Sequence, residues 1–84
     1  DQMGAATKQQ IKEWVEKGKE NDCTHVIIAV DTWNHEDYPV YVNADMDIHN
    51  KIKYYEKSND RIMEVYNMHM DLEEQLNQHR CYNI

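Results

Sequence analysis

His25-Val26-Ile27-Ile28-Ala29-Val30-Asp31-Thr32-Trp33 is the stretch on which the fold turns. Its centre, Val26 to Val30, is almost wholly β-branched or small and lacks the polar alternation of a half-solvated strand. Such a run reads as a strand covered on both faces. In a chain of 84 residues, helices suffice to cover one face. The other is expected to meet a second subunit or a returning segment.

Upstream, Ile11, Trp14, Val15 and Gly18 recur at helical spacing, with Lys12, Glu13, Glu16 and Lys17 opposite. Thr7 with Gln10 three positions later has the pattern of a capping box. The spacing predicts a helix over Lys8–Glu20, ended by Asn21-Asp22, two residues that tolerate the left-handed conformation. Downstream, Trp33 to Asp37 is turn-prone. Pro39-Val40-Tyr41-Val42-Asn43 alternates and reads as a second strand, antiparallel to the first, with proline at its start. Asp45 to Lys57 returns to helical spacing through Ile48, Ile52 and Tyr55, with Asp45 or Asp47 at the positive helix start. Arg61-Ile62-Met63-Glu64-Val65-Tyr66-Asn67 fits either a strand or the opening of a long helix. A strand is preferred, because two strands alone rarely support a domain. Asp71 then caps a helix from Leu72 to about Arg80. The expected class is α+β: a small antiparallel three-stranded sheet packed by helices, in the order α-β-β-α-β-α. Residues 3–84 read as a single domain, and Asp1-Gln2 ahead of Met3 as a cloning remnant.

Composition excludes several functions. The chain carries 16 acidic against 9 basic side chains, a formal charge of −7, and only two arginines, Arg61 and Arg80. Duplex nucleic acid needs several cationic phosphate contacts, so it is not an expected partner. Nothing approaches the roughly 18 apolar residues needed to cross a bilayer, so no membrane partner is expected either. Asp31, Glu36, Asp37, Asp45 and Asp47 fall in a segment free of Lys and Arg. That makes an acidic face which either keeps the protein dispersed or docks on a basic partner.

No catalytic residue is expected. Asp31, His35, Glu36 and Asp37 match no metal-site spacing and read as a solvated turn. Cys23 beside His25 lacks a group to orient the imidazole. Ser58 has no nucleophile elbow around it, and two glycines cannot build a phosphate loop. No metal or other cofactor is expected. Cys23 and Cys81 suit a reducing cytoplasm, with a single disulfide left open.

The aromatic inventory is more informative. There are six Tyr and two Trp but no Phe, so every ring carries a hydrogen-bonding group. Trp33, Tyr38, Tyr41, Tyr66 and Tyr82 are candidates for stacking on a base, although Tyr41 and Tyr66 serve equally as cross-strand pairs. Arg61 and Arg80 are candidates for phosphate.

Thr24 to Trp33, then His35-Glu36-Asp37-Tyr38-Pro39-Val40-Tyr41-Val42, resemble a pattern of small phage- or prophage-encoded proteins of unassigned function. Met63 to Asn67 and Leu72 to Arg80 are similar too; Asn21-Asp22-Cys23 departs from the pattern. The resemblance implies a short viral protein acting in the host bacterial cytoplasm, and it transfers no catalytic residues. The leading expectation is a non-enzymatic anti-defence protein whose homo-oligomer sequesters a small nucleotide immune signal. The alternative is an acidic inhibitor that docks on a basic surface of a host protein.

Overall fold

The computed structural model describes residues 6–84; Asp1 to Ala5, with the cloning-remnant reading, lie outside the described residues. The element order is α1 (Lys8–Glu20), β1 (His25–Asp31), β2 (Glu36–Val42), α2 (Ile48–Lys57), β3 (Arg61–Asn67) and α3 (Leu72–Leu76). The class is α+β. The three strands form one antiparallel sheet in the order β2-β1-β3.

The central place goes to the greasiest strand. Val26, Ile28 and Val30 face one side of the sheet, while Ile27 and Ala29 face the other. Val26 and Ile28 pack with Val15 of α1 and with Cys23, Tyr66, Met68 and Cys81, and Leu72 and Leu76 of α3 close the rim. Ile27 packs with Val42, Val65 and Ile52 of α2, joined by Val40, Ile48 and Ile62. Val26, Ile27 and Ala29 are fully buried, at 0% exposure, within a single chain. The face expected to meet a second subunit or a returning segment is covered by α2 of the same chain.

Local chemistry explains the boundaries. The Thr7 hydroxyl accepts from Gln10 N at 3.1 Å, so α1 begins where the capping pattern puts it. It ends at Glu20, with Asn21 as its cap and Asp22 beyond it in the left-handed region at φ 60°. Gly18 of α1 sits so close to β1 that a Cβ there would fall well inside contact distance of Val26 Cγ2. The carboxylate of Asp47 accepts from His49 N at 2.9 Å and starts α2 two residues later than Asp45 would.

β1 stops at Asp31 rather than Trp33, and β2 starts at Glu36 rather than Pro39. The hairpin closes over Thr32–His35. There Asp31 Oδ1 accepts from Trp33 N at 2.8 Å, Asp31 O accepts from His35 N at 2.6 Å, and His35 turns left-handed with φ 59°. Glu36 and Asp37 thus become strand residues by pairing with Asp31 and Val30.

β3 carries an irregularity: Ile28 opposes Glu64 but Ala29 opposes Ile62, leaving Met63 as an extra residue. This bulge puts Val65 and Ile62, three positions apart, on the same face towards α2. The last helix is shorter than expected, ending at Leu76 instead of about Arg80. Residues after it swing back along β3. Val65 N donates to Cys81 O and Asn83 N donates to Val65 O, both at 2.9 Å, a parallel bridge centred on Tyr82. Buried Gln75 ties this return together: its Oε1 accepts from Asn67 N at 2.8 Å and from Asn83 Nδ2 at 3.0 Å.

Candidate functional site

The returning C-terminal segment covers the β3 edge beside Val65 but leaves the stretch at Arg61–Met63 open. An open groove of about 740 Å³ lies there. Arg61, Ile62 and Met63 lie along β3, and Arg80 and Tyr82 belong to the returning segment. Glu56, Ser58, Asn59 and Asp60 come from the end of α2 and the loop after it, and Thr32 from the hairpin. Both arginines of the chain therefore line the same groove.

Arg80 is held in place. Its Nε donates to the carbonyl of Met63 at 3.2 Å, occupying the backbone acceptor beyond the Cys81–Asn83 bridge. A guanidinium fixed through Nε still has the NH₂ pair of its fork to offer an anion. The loop opposite is itself pinned. The Thr32 hydroxyl donates to Asn59 O, the Tyr38 hydroxyl donates to Asp60, and Ser58 Oγ donates to Tyr55 O at 2.9 Å while accepting from Asp60 N at 3.1 Å. Tyr82 remains 43% exposed, with its ring free for stacking.

The groove brings together three of the seven expected ligand residues: Arg61, Arg80 and Tyr82. The other four go elsewhere. Tyr66 is only 3% exposed and donates to Glu64 Oε1 at 2.8 Å. Burial first, and then that carboxylate, raise its hydroxyl pKa. Tyr41 is half-buried and packs on the α1 side near Gly18, and its pKa is also raised by burial. These two rings do pair across strands, but with Val26 between them rather than with each other. Tyr38 faces the α2 side, where burial and then Asp60 push its pKa up. Trp33 stands at the hairpin tip, 78% exposed and outside the groove lining.

The expected acidic face is divided: Asp31, Glu36 and Asp37 lie together at the hairpin end of β2, and Asp45 and Asp47 follow its other end. Asp31 closes the hairpin, Asp37 accepts from Ala6 N at 2.9 Å, and Asp47 caps α2. Glu36 and Asp45 sit at and beyond opposite ends of β2, roughly 20 Å of strand apart. Three of the five carboxylates are thus occupied by backbone amides.

The two thiols are free and buried on the α1 side of the sheet. Burial raises the Cys23 pKa, with Asp22 adding to the effect. Burial and then Glu64 push Cys81 up to about 11. Thiols shifted that way are protonated and poorly nucleophilic. Among the described residues, no group of three or more His, Cys, Asp or Glu is placed to hold a metal ion. Among the same residues, no helix is long and apolar enough to cross a membrane.

No protein-family model matches the chain, and searches of curated proteins and of solved structures return no match. Sequence reasoning reached the cationic and aromatic half of the groove through residue type. It missed Thr32, Glu56, Ser58, Asn59, Asp60 and Met63, which arrive by topology.

Proposed function

We propose that this protein is a non-enzymatic binding protein that sequesters a small nucleotide signal, as a phage anti-defence factor in the host cytoplasm would. The observation that carries the reading is the meeting of Arg61, Arg80 and Tyr82 in one groove of a chain with no other arginine. Arg80, anchored through Nε, supplies a fork for a phosphate, and the Tyr82 ring supplies a face for a base. Thr32, Ser58 and Asn59 add short polar side chains to the lining. The groove is built within one chain, so this reading does not depend on an oligomer. The phage origin rests on the sequence resemblance alone.

The test is a thermal-shift titration of the full chain with cyclic nucleotides, followed by recovery of the ligand. A ligand bound only to the folded state adds about 2.7 kcal/mol at a hundredfold excess over Kd, on the order of 10 °C for a domain of this size. The nucleotide should be recovered intact after heating. Arg80→Ala should weaken binding by about tenfold or more, as expected for loss of a charge-assisted pair. Unchanged melting with every nucleotide tested would overturn the proposal.

A second reading has its own support. Among the described residues β2 is the sheet edge with no strand beside it, the segment from Asp31 to Asp47 has no Lys or Arg, and Trp33 stands exposed at the hairpin tip. An exposed tryptophan flanked by carboxylates suits docking on a basic host protein. Such binding would ignore nucleotides, weaken steeply with salt and fail in Trp33→Ala.

A further inference from the structure

The groove has two unlike walls. Arg80 and Tyr82 stand on the C-terminal side, and Glu56 and Asp60 on the side of α2. Asp60 already accepts the Tyr38 hydroxyl. Glu56 is exposed and sits in the last turn of α2, where the partial negative charge of the helix end disfavours a carboxylate. A local preference broken at a groove wall is the pattern expected of a residue kept for binding.

These charges orient any nucleotide that enters. A phosphate against the α2 wall would face two carboxylates, so the anionic end is driven to Arg80 and Arg61 and the base is left towards Glu56. An ionised carboxylate only accepts hydrogen bonds. Guanine offers two donors side by side, N1–H and the 2-amino group, which match the two oxygens of one carboxylate. Adenine presents one donor, its 6-amino group, beside the N1 lone pair, so only one carboxylate oxygen is matched and the other is repelled. We infer that the groove selects a guanine base, with Glu56 accepting from N1–H and the 2-amino group while Arg80 holds the phosphate. The inference rests on the nucleotide reading above.

Calorimetric titration of the full chain with the 3′,5′-cyclic monophosphates of guanosine, inosine and adenosine tests it. Guanosine should bind tightest, inosine (which lacks the 2-amino group) less tightly, and adenosine weakest, with about tenfold or more between the extremes. Glu56→Gln, at an exposed helical position, should fold normally and bring guanosine affinity down to the adenosine level. Equal binding of guanosine and adenosine overturns the inference but leaves the nucleotide reading intact. A guanosine preference that survives Glu56→Gln also overturns it, by removing Glu56 from the recognition. Absence of binding by all three overturns the nucleotide reading, and the inference with it.

Discussion

The two faces of the sheet are covered by the same chain but not to the same depth. On one, α1, α3 and the C-terminal return enclose seven buried residues from Val15 to Cys81. On the other, α2 lies over Ile27, Val42 and Val65 with Ile52 as its one buried residue. A strand hydrophobic on both sides therefore does not require a partner subunit. It requires cover from its own chain on both faces, and on one of them a single helix with one buried residue is enough. The slighter cover leaves α2, with one buried residue against two in α1, less firmly held than α1, and α2 carries Glu56 at one end of the groove.

The largest expected effect falls on the strand that serves both faces. Ile27→Ala and Ile28→Ala should each cost about 2–5 kcal/mol, read by chemical denaturation. Because α2 covers Ile27 in the same chain, the Ile27→Ala loss should not depend on protein concentration. A midpoint that rises with concentration would show that another molecule shares that face.

Ile52→Ala should cost about 2–4 kcal/mol, and hydrogen exchange should show α2 opening before α1. Equal protection of both helices would erase the distinction between the faces. On the deeper side, Gly18→Ala should destabilise by about 1–3 kcal/mol despite the better helix propensity of alanine, because Val26 is enclosed and has nowhere to move. A stabilised variant would mean that the α1 face is looser than its packing indicates. Thr7→Ala removes the α1 cap and should cost about 1 kcal/mol.

The smallest effect is a pH dependence at the foot of β1. His25 is 9% exposed, its Nδ1 lies 2.9 Å from Thr24 Oγ1, and its Nε2 is buried without a partner. Burial first, then His69 and His49, lower its pKa below the ordinary 6.5, opposed by the nearby backbone of Ile84, which favours the protonated ring. The unfolded chain therefore takes up the proton first. Stability is full above pH 6.5 and falls as the pH drops from there through the lowered folded value. His25→Gln should flatten the melting temperature across that window; an unaltered slope would remove His25 as its source.

Much of this architecture was legible because its signals are local. The cap at Thr7, the stripe Ile11-Trp14-Val15-Gly18 and the left-handed Asp22 fix α1, and the apolar run at Val26–Val30 fixes β1. The strand at Arg61–Asn67 could be chosen over a helix only by counting strands. Glu36 and Asp37 carry no strand signal of their own; they are extended because Asp31 and Val30 pair with them. The C-terminal return was invisible for the same reason. Nothing in Gln78-His79-Arg80-Cys81-Tyr82 announces that Cys81 and Asn83 will bond to Val65, although buried Gln75 is what steers them there. Residue chemistry found Arg61, Arg80 and Tyr82 as candidates, but residue chemistry alone also nominated Tyr66, which the core claims.

Met63 is the one residue of β3 that the ladder with β1 does not use, since Glu64 and Ile62 oppose consecutive residues of its neighbour. Removing it would keep every pairing with β1 and every facing side chain in place, at the loss of the Arg80 anchor on its carbonyl, whereas losing Ile62 or Val65 would turn part of the strand over. Shortening the gene by that single codon should yield a folded protein. Natural variants that differ in length within this strand should differ there.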